Sequence, residues 1–130
     1  MYIETHLTPR FSDTDAMGHI NNTAVTQWLE AGRMDFYRNH LKTSTPKVLR
    51  RIEVDYNREL SFKEEALIRT GVERLTNKTI VLRQEILQRN VSCVMAIIVE
   101  CYFDPKTRSA MEMPAHDRQL YSQLMFNDKV

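Results

Sequence analysis

Charge of one sign, long apolar runs, glycine and proline are all scarce in this chain, and each scarcity excludes something. Eighteen basic side chains stand against seventeen acidic ones, a net charge of +1. No broad field exists to hold a polyanion, so neither nucleic acid nor an anionic membrane is expected as a partner. The longest apolar run, residues 93–99, is far below the ~20 residues of a membrane helix. The first six residues, Met1-Tyr-Ile-Glu-Thr-His6, lack the basic opening and apolar stretch of a secretion signal, so a cytoplasmic location is expected. The two cysteines, Cys93 and Cys101, lie in one apparent strand, roughly 26 Å apart at ~3.3 Å per residue. They cannot pair within it and read as buried, reduced thiols. With three glycines and four prolines, low-complexity segments and linkers are absent.

What is present is an ordinary globular balance, 42% hydrophobic and 27% charged over 130 residues, which predicts one domain spanning 1–130. Residues 2–11 read as an extended stretch, with Pro9 marking a sheet edge or a bulge. A loop over 13–22 follows, and then a helix over about 23–40. Its apolar face carries Val25, Trp28, Leu29, Gly32 and Phe36 at three- and four-residue spacing. Asn21 or Asn22 is suited to cap its start. Gly32 costs about 1 kcal/mol in a helix relative to alanine, which predicts a close approach to a sheet.

Period-two alternation over 48–60 predicts a strand, followed by strands over 66–75, 79–89 and 91–103. The last is apolar on both faces over 93–99. It therefore lies centrally beneath the helix, or packs its second face on something else, economically another copy of the chain. Pro114, with Leu120, Tyr121 and Leu124 at helical spacing, predicts a short final helix. The fold class is α+β, an antiparallel sheet wrapped around one long helix.

Chemistry concentrates in Arg10-Phe-Ser-Asp-Thr-Asp-Ala-Met-Gly-His-Ile-Asn-Asn22. A helix start offers unpaired amides and a partial positive charge, able to polarise a carbonyl oxygen. Asp15, in a loop made compact by Gly18, stands just before it as a potential nucleophile or general base. An acid at such a position serves equally as a cap, and His19 alone serves as a structural hydrogen-bonding residue. Spacing leaves both readings open.

The stretch Asp13-Thr-Asp-Ala-Met-Gly-His-Ile-Asn-Asn22, with Trp28, Leu29, Glu30 and Arg33 on the following helix, resembles the 4-hydroxybenzoyl-CoA thioesterase-like branch of the hot-dog superfamily. Arg51-Ile-Glu-Val-Asp-Tyr-Asn-Arg-Glu-Leu60, Val72-Glu-Arg-Leu75, Gln84-Glu-Ile86 and Phe103-Asp-Pro105 extend the resemblance over roughly residues 2–125. It implies a hot-dog fold, acting as a homodimer or a dimer of dimers with sites between subunits. It also implies hydrolysis of acyl-CoA or acyl-carrier-protein thioesters, without a metal and with CoA only as part of the substrate.

On that resemblance Asp15 is the catalytic carboxylate, and the amides near Asn22 polarise the carbonyl. His19 and Asn22 are also similar to the His-x-Asn-Asn element of plant acyl-carrier-protein thioesterases, where an Asn stands in place of Met17. Glu30 matches an acidic helix position, and Arg58 and Thr79 are candidates for touching the cofactor portion. The acyl chain is expected between helix and sheet, past Met17 and Trp28. Two rivals remain: a hot-dog dehydratase or hydratase using His19, and a protein that binds acyl thioesters without turnover.

Overall fold

The structure, a computed structural model, describes residues 1–126, so the last four residues of the expected 1–130 domain lie outside it. Strand β1 (Ile3–Leu7) opens the chain, and helix α1 (Asn22–Met34) follows. Strands β2 (Lys47–Tyr56), β3 (Ala66–Leu75), β4 (Thr79–Gln88) and β5 (Val91–Asp104) come next. A two-residue strand β6 (Ser109–Ala110) and helix α2 (Ala115–Ser122) complete it. The strands form one antiparallel sheet in the order β1-β3-β4-β5-β2, with β6 pairing the last two residues of β5.

The sheet carries α1 on one face. Val25, Leu29 and Phe36 of the helical segment bury against Ile68, Val72, Leu82, Ile86, Val94 and Ile98. Gly32 fulfils its expectation: a Cβ built there would stand 2.7 Å from Ile68 Cγ2 and 3.1 Å from Gln84 Nε2. Only a bare α-carbon lets the helix lie so low.

Several boundaries differ from the sequence reading, each for a physical reason. The first strand stops at Leu7 rather than residue 11, because Pro9 has no N–H to pair and a 3₁₀ turn (Phe11–Asp13) follows. The long helix runs as α only to Met34 and then as a π-helix (Asp35–Leu41). The wider π turn lets the neighbours Phe36 and Tyr37 both bury, and Lys42 at φ 55° ends it in the left-handed region. Strand β2 ends at Tyr56, not residue 60: the Asn57 and Arg58 amides both donate to the Cys93 carbonyl, turning the chain off the sheet. Pro114 caps α2 as expected, and β6 had no signal of its own.

The two-faced strand β5 lies second from the edge. Val94, Ala96, Ile98 and Tyr102 face α1, whereas Met95, Ile97 and Val99 are half-buried on the outer face. Their cross-strand neighbours there include Glu53, Asp55, Arg83 and Glu85. Cys93 and Cys101 are both free thiols. Among the described residues no helix is long and apolar enough to cross a membrane.

Candidate active site

The segment between β1 and α1 folds as a tight hairpin-like loop. Thr14 bridges Ile20, the Asp15 amide donates to the His19 carbonyl at 2.8 Å, and Gly18 donates back to Asp15 at 3.3 Å. Gly18 sits at φ +82°, the left-handed conformation that glycine adopts without penalty. The loop is tied to the segment after β2 by the His19–Ser61 bridge and by the Ile20 amide donating to Leu60 at 3.2 Å.

Within this frame Asp15 is held by one oxygen. Its Oδ1 accepts from the Met17 amide at 2.8 Å and the His19 amide at 3.1 Å. Among the described residues Oδ2 accepts nothing, so the carboxylate is oriented yet half of it stays open for chemistry. Asn21, not Asn22, is the cap: its side chain accepts from the Thr23 amide at 3.0 Å. The Asn21 carbonyl also takes the amides of Ala24 and Val25. That leaves Asn22 as the first helical residue, with its own N–H paired to no protein acceptor among the described residues.

Asp15, His19 and Asn22 meet on the wall of one cleft of about 370 Å³. Tyr56, Asn57, Arg58 and Glu59 also line it, with Ile20, Val25, Leu60 and Val94 as its apolar residues. His19 Nε2 lies 3.3 Å from Glu59 Oε2. A neighbouring groove of about 510 Å³ shares Arg58 and Glu59 and runs on to Gln88 and Arg89. Sequence reasoning missed Tyr56, Asn57 and Glu59 because it ran the strand through them. The available signal was the polar triplet Asn57-Arg58-Glu59, which breaks the apolar alternation.

The other expected residues lie elsewhere in the single chain. Trp28 is buried and donates from Nε1 to Asp13 Oδ2 at 3.3 Å, beside β1. Met17 is 78% exposed at the tip of the loop, and Glu30 is exposed on α1; neither lines the cleft. Thr79 pairs with Cys101, whereas Tyr56 of the cleft pairs with Val94. Seven steps along β5, from Val94 to Cys101, put Thr79 roughly 23 Å away at ~3.3 Å per residue.

Asp13 does structural work behind the site. Burial pushes its carboxyl up, but hydrogen bonds from the Arg10 amide, the Arg10 guanidinium and the Trp28 indole outweigh that and hold it below the ordinary value. Among the described residues no group of three or more His, Cys, Asp and Glu could hold a metal ion.

Against known proteins, the family model described as the thioesterase-like superfamily matches residues 9–123. The chain belongs to that superfamily. Its architecture is the hot-dog fold that the resemblance implied. It is similar to a solved structure described as a predicted thioesterase from Bacillus stearothermophilus, with 31% identity and a TM-score of 0.92 over 99% of this chain and 100% of that one. A thioesterase from Thermus thermophilus, complexed with coenzyme A and Zn, shares 20% identity with a TM-score of 0.80 over 89% and 94% of the two chains. A DHNA-CoA thioesterase from Staphylococcus aureus shares 19% with a TM-score of 0.80 over 94% and 89%. No curated protein matches the chain by sequence.

Proposed function

We propose that this member of the thioesterase-like superfamily hydrolyses acyl-CoA thioesters, with Asp15 as its catalytic carboxylate. The observation that carries the reading is a carboxylate with one oxygen pinned by two loop amides and the other unpaired among the described residues, on a residue that lines a cleft together with the start of α1. The thioester oxygen accepts from the free Asn22 N–H, where the partial positive charge of the helix start adds to the polarisation. Asp15 Oδ2 takes a proton from water, the resulting hydroxide adds to the carbonyl carbon, and the C–S bond breaks to release acid and thiolate. Direct attack by Oδ2 gives the same products through an anhydride that water then opens. A thiolate leaves readily, so neither route calls for a strong general acid.

Arg58, shared by cleft and groove, suits the phosphate-bearing part of CoA. The complex of the Thermus thermophilus relative with coenzyme A supports that substrate class. We further propose that the active unit is a dimer built on β2. Among the described residues that edge strand has no neighbour on one side, and it exposes Val48, Leu49 and Tyr56, the last of which lines the cleft.

The test is thiol release from a panel of acyl-CoAs. Asp15→Asn should lower kcat by about a hundredfold or more while the variant stays folded. A folded variant as fast as the parent removes Asp15 from the chemistry. The His19–Glu59 pair favours one rival, a hydratase acting on the α and β carbons of a thioester. Deuterium exchange at the α-carbon with no free thiol would select it.

A further inference from the structure

The loop that holds Asp15 leans on the segment between β2 and β3. His19, whose amide donates to Asp15 Oδ1 at 3.1 Å, bridges Ser61, and the Ile20 amide donates to the Leu60 carbonyl at 3.2 Å. What fixes Leu60 and Ser61 therefore bears on Asp15. That segment leaves the sheet after Tyr56 and rejoins it at Ala66, so its backbone groups need partners outside a strand ladder.

Two ties bind it to the hairpin of β4 and β5. Near its start, the Asn57 and Arg58 amides donate to the Cys93 carbonyl at 2.9 and 3.0 Å. Near its end, the buried side chain of Gln88 grips the backbone. Gln88 Oε1 accepts from the Ser61 amide at 2.8 Å, and Nε2 donates to the Ser61 carbonyl at 2.9 Å and the Glu64 carbonyl at 3.0 Å. Gln88 ends β4 and pairs with Val91 across a two-residue turn, with Arg89 and Asn90 at φ 54° and 60°, so the sheet fixes it in turn. Both N–H groups of its amide are spent on backbone. Although Gln88 lines the groove beside the cleft, it has no donor left for a ligand.

We infer that Gln88 is a positioning residue for Asp15: its amide fixes Ser61, the Leu60–Ser61 backbone fixes His19 and Ile20, and the His19 amide holds Asp15 Oδ1. The inference rests on the hydrolase reading and adds to it a residue remote from Asp15 in sequence. Its loss acts on turnover rather than affinity, because a displacement of about 1 Å at a reacting group costs up to about a hundredfold in rate.

The experiment compares the parent with Gln88→Met, which keeps the bulk of the side chain and removes its polar atoms, well below the thermal midpoint of either. One acyl group that the parent turns over is supplied on CoA and on N-acetylcysteamine, which has the thiol end of CoA without its phosphates. On both thioesters kcat should fall about tenfold or more while KM stays within about twofold. Amide hydrogen exchange at His19 should quicken by about tenfold or more. A loss confined to KM on the CoA thioester makes Gln88 a substrate contact, and an unchanged kcat leaves Asp15 placed without it; either overturns the inference while the hydrolase reading stands. Where Gln88→Met does not fold, Gln88→Glu carries the test. Its carboxylate sets an oxygen against the Ser61 and Glu64 carbonyls, beside the Arg89–Glu64 ion pair and with Arg58, Glu59 and Cys93 along the same groove. Protonation returns one O–H donor, so its kcat relative to the parent should rise about tenfold from about pH 8 to about pH 5.5, and a flat ratio overturns the inference. A parent that releases no thiol from any acyl thioester sinks the hydrolase reading, and this inference with it.

Discussion

Asp15 and Asp13 sit two positions apart and do opposite kinds of work, and single substitutions separate them. Asp15 spends Oδ1 on loop amides, and asparagine keeps an oxygen there; Asp15→Asn should therefore keep the parent's thermal midpoint while losing turnover. Asp15→Ala removes the acceptor too and should lower stability by roughly 1 kcal/mol besides, read from urea unfolding. Asp13 accepts from three donors in a buried position, so Asp13→Asn turns an amide NH₂ toward N–H groups and should cost on the order of 1–3 kcal/mol at neutral pH. Because the folded carboxyl titrates below its ordinary 3.8, its stabilisation is complete above that value and is lost as pH falls through the lower, folded one. Unfolding curves of parent and variant should converge in that acid range; a gap that stays constant to the lowest pH would refute the account. At this scale the sequence was half legible. Asp15, His19 and Asn22 are contiguous enough to be read from one motif. Tyr56, Asn57 and Glu59 reach the same cleft only because a strand ends shortly before a bridge that no local pattern announces.

Gly32 carries the sharpest test among the elements. Alanine there gains up to about 1 kcal/mol of helix propensity, but its methyl would meet Ile68 at 2.7 Å and the buried Gln84 amide at 3.1 Å. The clash should win, because overpacking a well-filled core costs about 1–3 kcal/mol and Gln84 cannot yield without breaking its bonds to Leu29 and Thr70. Gly32→Ala should therefore be less stable than the parent in urea denaturation, and a more stable variant would show that the helix can lift freely. Strand and helix identities were readable, since periods of 2 and 3.6 leave distinct apolar traces. The change from α to π after Met34 was not. Phe36 and Tyr37 are both buried, and a helical pattern with one residue out of phase looks the same as an α-helix with a stray aromatic.

For the molecule as a whole, the two sheet edges are not equivalent. Strand β1 is short, followed closely by Pro9, and so discourages another strand from pairing on it. Strand β2 is ten residues long, exposes Val48, Leu49 and Tyr56, and carries no proline to block pairing. A long edge that exposes apolar side chains among its charged ones is open to pairing with another strand. Antiparallel pairing of two β2 strands about their middle would set the Lys47 end of one copy beside the Tyr56 end of the other, so each copy would finish the other's cleft. The chain should accordingly sediment well above its single-chain mass of 15.3 kDa. Leu49→Lys combined with Tyr56→Lys puts repelling charges on both ends of that edge and should return it to the single-chain mass, with activity falling at the same protein concentrations at which mass is lost. Parent protein that sediments as a single chain at full activity would separate the edge from the chemistry and leave the exposed apolar residues of β2 without an explanation.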